Sequence, residues 1–434
     1  MPSETTQLRR NILVFSVYFL IFFAGMGIIQ PFLSLHFRSI GFSGVQVGAL
    51  GTFSSLGLIL TATQYGVFFD RSSRKRLILA LSLFLLTLTL YFLPFMRGFG
   101  IVLVLFVLHR IVASSSITAT ENLSYQVSSG GAANGKVSFG KLRMWGSVGF
   151  GVTAVIGGWL FGTKGILIND QVFLAFMLVS IGLILFTMPA DFFRDGQADQ
   201  KQGAAAGFKG IINLIFHGQQ EVAVLEYQGA AAGFKGIINL IFKDRYLLLT
   251  VVALALTDPL SDGVRSFEPI FMKDLGLTES IIGAAVSLSC FTEIPIMLLG
   301  DRWIQKLEVH QLVFFILIFD LTRRLLVWFF PFGWLVFVLN ILTAVSFSLR
   351  LITTIHLINL RVPRQYTTAA VTFVNITLNG ISHMLSNALS GVVYDNFGGR
   401  PIYLVSACFC VVSLVFALAA RRAKAQESQV LVGN

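Results

Sequence analysis

Twelve apolar runs, each about 20 residues or longer, divide the chain and constrain its fold more than any other feature. They fall near 11–36, 45–69, 76–95, 99–125, 140–161, 170–189, 246–271, 280–300, 309–331, 333–360, 366–394 and 400–420, and are called spans one to twelve here. A run of this length crosses the hydrocarbon core as a helix, because every backbone polar group must be satisfied inside the segment. The period-two alternation of a β-barrel is absent. Composition agrees: 55% of the 434 residues are apolar and 12% are charged, where a soluble protein carries about 25% charge. This excludes an ordinary cytosolic enzyme, a disordered tail protein and a secreted disulfide scaffold. The expectation is an all-α, multi-pass integral membrane protein whose first partner is the lipid bilayer.

The net charge of +11 does not read as nucleic-acid binding, because the cations sit in short gaps between the spans. With the N-terminus placed in the cytosol, about 15 Lys and Arg fall on the inside, among them Arg71, Arg74, Lys75 and Arg76. About five fall outside: Arg38, Arg97, Lys164, Lys273 and Arg400. Both termini are therefore expected in the cytosol; which membrane the protein occupies stays open. Cys290, Cys408 and Cys410 lie in apolar runs with neither a disulfide nor a metal spacing, so they read as small buried hydrophobes, and no metal or cofactor is expected.

Two repeats organise the chain. Gln202–Phe216 recurs exactly as Gln228–Phe242, at a period of 26 residues, within a polar central loop over 190–245. That period is too short for a domain and reads as a recent duplication or a gene-model error. The second repeat is older. Gly41-Phe42-Ser43, Gly48-Ala49 and Asp70-Arg71 have counterparts in Gly276-Leu277-Thr278, Gly283-Ala284 and Asp301-Arg302. The first pairs are offset by 235 residues; less the 26-residue duplication this is 209, about half of the remaining 408. The chain thus divides into a six-helix half over 1–189, the central loop over 190–245, and a six-helix half with a short tail over 246–434.

The loop after span two reads Gly66-Val-Phe-Phe-Asp70-Arg71-Ser-Ser-Arg74-Lys75-Arg76, and span five opens on Phe139-Gly140-Lys141-Leu142-Arg143-Met144-Trp145-Gly146-Ser147-Val148-Gly149. The first resembles the signature loop of the major facilitator superfamily. The second resembles the helix-five motif of its lactose-permease-like branch, which includes sugar, nucleoside and phenylpropionate permeases. Glu293-Ile294-Pro295 and Tyr394-Asp395…Gly399-Arg400 also fit that branch. The resemblance implies two pseudo-symmetric six-helix halves with a site between them near mid-membrane. It implies that Gly66, Asp70, Arg71 and Arg74 form a gating latch, against the plainer reading of a cluster that only sets topology.

Charges inside a membrane are costly and usually functional. On span four, Arg110, Ser114 and Glu121 fall within about 40° of one another. By resemblance, Glu121 and Arg143 are the substrate pair, with Trp145 beside them; a structural ion pair is the alternative. On span seven, Asp258, Asp262, Arg265 and Glu268 occupy an arc of about 120°, and span nine carries Asp320, Arg323 and Arg324. A charge network between these two spans would neutralise both. Glu293 on span eight is the best single proton carrier, because desolvation disfavours the charged form of a carboxylate; the alternative is a structural bond to an arginine such as Arg323. Asp258, Asp262, Arg323 and His356 complete the candidate coupling set, although the glutamate that accompanies such a histidine in lactose permease is missing from span ten. Asn375, Asn379, Ser382, Ser386 and Ser390 share an 80° face of span eleven. They either line the cavity, Asn375 and Asn379 then binding solute, or form a helix-packing seam.

No nucleophile–base constellation, phosphate loop or metal cluster is present in the sequence, so the chain is not expected to be an enzyme. The leading expectation is a monomeric secondary transporter that couples protons to a small polar organic solute (a sugar, nucleoside or aromatic acid) by alternating access. A uniporter of the same fold, and a non-transporting receptor or scaffold, are the alternatives.

Overall fold

The structure, a computed structural model, describes the backbone of residues 4–72, 74–132, 139–188, 241–363, 370 and 373–432. Within these, the side chains of 4–9, 62–64, 66–68, 70–71, 121–122, 124–132, 139–141, 258–262, 300–305, 375–376 and 428–432 lie outside the description. The duplicated segment falls outside it as well, except for 241–242.

All regular structure among the described residues is helical. Span one is Glu4–Ile29, a tight turn at Gln30–Phe32 and a short helix Leu33–Ser39. Pro31 sits at the start of that turn and cannot donate to the preceding helix, which ends there. Spans two to six are Gly44–Arg71, Lys75–Phe92, Phe99–Ala132, Phe139–Lys164 and Ile166–Gly182, the last ending in a wider turn over Leu183–Thr187. Spans seven to ten are Arg245–Asp274, Glu279–Lys306, Val309–Phe329 and Gly333–Arg361. Span eleven runs through Phe373–Leu378 and Asn379–Phe397, and span twelve is Arg400–Val432. Pro295 is carried inside span eight without ending it. Span twelve overruns its apolar run, so the expected tail continues the helix, and Arg361 Nη1 and Nη2 hold the Glu427 carboxylate at 2.8 and 2.9 Å.

The older repeat is visible as one backbone device used twice. Gly41 and Gly276 have φ of 94° and 83°, the left-handed conformation that glycine adopts without a Cβ clash. Each ends a helix in the same way: Gly41 N–H donates to Arg38 O and Phe42 N–H to Phe37 O, as Gly276 N–H does to Lys273 O and Leu277 N–H to Met272 O. The next glycines of the repeat, Gly48 and Gly283, then sit at the crossings between the halves. A β-carbon at Gly48 would overlap the Asn387 carbonyl oxygen of span eleven, and one at Gly283 would overlap that of Ala154 in span five.

Within the first half, the span-five motif is a packing device. Cβ atoms at Gly146 and Gly149 would run into Phe19 and the Leu20 carbonyl of span one. Thr153 Oγ1 donates to Ala24 O at 2.7 Å, and Asn169 Nδ2 bonds Ile28 O at 2.7 Å and Gly157 O at 2.9 Å, joining spans one, five and six. The close approach fixes the rotation of span five and so decides which of its side chains reach the interior.

Candidate functional site

A cavity of about 600 Å³ lies between the halves. The first half supplies Phe19, Phe23, Phe106 and Phe150 with Arg110 and Arg143; the second supplies Arg265, Glu268, Glu293, Asp320, Arg323, Arg324, Asn340 and Phe347. Tyr18, behind the aromatic wall, is tied to Thr120 of span four by a 2.9 Å hydrogen bond.

Of the described charged residues that line the cavity from the second half, Glu268, Asp320, Arg323 and Arg324 are paired within that half. Arg323 Nη2 meets Glu268 Oε2 at 2.5 Å, and Asn340 Nδ2 donates to the other carboxylate oxygen at 2.9 Å. Arg350 Nη2 meets Asp320 Oδ2 at 2.7 Å, and Arg324 Nη1 lies 3.5 Å from the same oxygen while donating to Cys410 Sγ at 2.7 Å. All five charged groups are buried. The expected link between spans seven and nine is therefore present as Glu268–Arg323, but Asp320 turns to span ten instead. The suggested Glu293–Arg323 bond is not formed, because Arg323 is already held by Glu268. Among the described residues Glu293 has no ion-pair partner, and Arg143 and Arg265 are the cations whose fields act on it. Arg265 lies 5.4 Å over the Phe347 ring.

The remaining candidates separate. Arg143 and Glu293 meet at the cavity, one from each half. Trp145 lies outside the lining and is 39% exposed, since the face of span five that packs on span one turns it away. Asn379 and His356 are half-buried and do not line the cavity either. The span-eleven serines form a packing seam rather than cavity wall. Ser386 Oγ accepts from Gly263 N–H at 2.9 Å, Ser382 Oγ donates to Ala255 O at 3.3 Å, and a β-carbon at Gly263 would strike Ser386 and Ser390. Arg74 is exposed. The side chains of Glu121, Asp258, Asp262, Asn375, Gly66, Asp70 and Arg71 lie outside the described residues. Of the cysteines, Cys410 is buried, Cys290 lines the cavity and Cys408 is exposed, which corrects the expectation of three buried hydrophobes.

Sequence reasoning missed Asn340, Asn387 and the Asp320–Arg350 pair. A lone asparagine in an apolar run was the available signal for the first.

The profile of the MFS_1 like family matches residues 12–405. The chain belongs to that family, within the major facilitator superfamily of transporters. Maltose permease of Geobacillus stearothermophilus is 23% identical over 407 residues, covering 93% of each chain. The MFS-type transporter YxaM of Bacillus subtilis is 23% identical over 399 residues, covering 90% of this chain and 91% of the relative. Among solved structures, a mutant of the nucleoside transporter NupG superposes with a TM-score of 0.73 at 15% identity, covering 95% of this chain and 99% of that one. A bacterial homologue of the human lysosomal transporter Spinster, inward-facing and occupied, gives 0.71 at 14%, covering 98% of each chain. These likenesses show the major facilitator fold, so this family member is a multi-pass integral membrane protein of two six-helix halves.

Proposed function

We propose that the protein is a proton-coupled symporter of a small polar organic solute, working by alternating access of the two halves. One observation carries this reading: of the described carboxylates that line the cavity, Glu268 and Asp320 are in ion pairs and Glu293 is not. A carboxylate facing a solute cavity without a fixed counter-ion is free to gain and lose a proton. Solute and proton together then favour the state that releases both on the other side. Arg143, across the cavity from Glu293, is the group proposed to orient the solute; Asp258, Asp262, Glu121 and Asn375 remain candidates from sequence.

The sugar and nucleoside classes find support in the maltose and nucleoside permeases among the relatives. The lining itself, with Arg110, Arg143 and Arg265 beside aromatic walls, also suits a solute with an acidic group on a flat apolar body, because guanidinium binds carboxylate through paired donors and rings stack on rings. The test is solute-induced alkalinisation outside proteoliposomes, with sugars, nucleosides and aromatic acids as the panel. Symport predicts a signal from one class, and Glu293→Gln is expected to abolish accumulation while sparing exchange. Accumulation driven by pH in that variant would remove Glu293 from the mechanism. The pairing of Glu268 and Asp320 favours one alternative, a uniporter whose charges only hold the scaffold; counterflow of a labelled solute without proton movement would establish it.

A further inference from the structure

The start of span two is capped by the other half of the molecule. A helix leaves its first four N–H groups without intrahelical partners. Here they belong to Ser43, Gly44, Val45 and Gln46, since Val47 N–H already makes the first helical bond, to Ser43 O at 3.0 Å; the Ser43 hydroxyl accepts from Gln46 N–H at 3.1 Å. Gln46 returns a side-chain bond to Ser43 N–H at 2.9 Å, completing a capping box. The two donors left over belong to Gly44 and Val45. Both are taken by one carboxylate at the end of span eleven: Gly44 N–H bonds Asp395 Oδ1 at 2.5 Å and Val45 N–H bonds Asp395 Oδ2 at 2.7 Å.

We propose that Asp395 is a clasp that holds the two halves shut at this end and sets the free energy of opening it. The charge, the two-pronged geometry and the positive end of the helix dipole all act in the same direction. The seam below has no slack to substitute for it, because β-carbons at Gly44 and Gly391 would meet the opposite helix. Opening this end must therefore free both N–H groups and the carboxylate to water together, as a discrete step. The proposal rests on the halves rocking against each other and goes beyond the coupling mechanism, since it involves neither solute nor proton.

The test is a distance measurement between the halves on the full-length protein in lipid nanodiscs, without added solute. Spin labels at Gly98→Cys and Phe397→Cys report this end from each half; Gly98 has open space around it and Phe397 is 72% exposed. Cys290→Ser and Cys408→Ser remove the accessible native thiols. Asp395→Asn sets an amide N–H against a backbone N–H, and is expected to raise the ratio of separated to closed molecules about tenfold. Val45→Pro removes one donor at a position where proline is accepted in the first turn, and is expected to raise it about threefold with Asp395 intact. An unchanged ratio in Asp395→Asn overturns the proposal. A rise in Asp395→Asn with none in Val45→Pro also overturns it, since the carboxylate would then act through another neighbour. Because no substrate enters the measurement, failure of the symport reading leaves this outcome intact.

Discussion

The two halves share a fold and a repeated backbone device, yet they face the cavity with different chemistry. The amino-terminal half faces the cavity with phenylalanine rings and two arginines, Arg110 and Arg143. The carboxy-terminal half faces it with a paired network, in which Glu268, Asp320, Arg323 and Arg350 hold spans seven, nine and ten together. The repeat therefore fixes shape and not chemistry: among the described residues that line the cavity, one half presents mainly rings and the other a charged frame beside Glu293. Substitutions are accordingly expected to damage stability more in the second half and solute affinity more in the first.

The largest effect is expected from Glu268→Ala. Arg323 would be left as an unpaired buried cation, costing about 3–5 kcal/mol, read as a fall in thermal midpoint in detergent. Arg143→Gln is expected to weaken solute binding about 10- to 100-fold, the worth of a hydrogen bond to a charged group, and to lower that midpoint less than Glu268→Ala does, because Arg143 is only half-buried. A loss of stability in Arg143→Gln as large as in Glu268→Ala would break the comparison. Asn340→Ala removes the second bond to Glu268 and is expected to cost about 1 kcal/mol, measured in the same unfolding series. The smallest effect lies at the surface of the same half. Glu308 is exposed, and its hydrogen bond from Lys424 Nζ at 2.5 Å holds its carboxyl below the usual carboxylate range. A depressed folded value means the pairing is present above the ordinary carboxylate range and is lost as pH falls through the folded value. A carbon-13 titration of Glu308 should show this, and Lys424→Ala should move it back toward the ordinary range, with His310 Nδ1 still 3.2 Å from the carboxylate and little change in thermal midpoint.

The sequence by itself determined what depends on near neighbours along the chain. Hydropathy located the spans, because crossing a bilayer is a property of about 20 consecutive residues. The 235-residue offset found the paired helix ends at Gly41 and Gly276, because a left-handed terminus is written in a few adjacent residues. It also showed that spans seven and nine carry charges needing partners. Only the tertiary structure decided who pairs with whom. Arg323 chose Glu268 over Glu293, Asp320 turned to Arg350, Ser386 went to a packing seam, Trp145 left the cavity, and Asp395 crossed the interface to Gly44 and Val45. Each choice rests on the rotation and depth of one helix against another, and those are set by close contacts such as Gly146 on Phe19 and Gly48 on Asn387, between residues more than 120 and 330 positions apart in the chain.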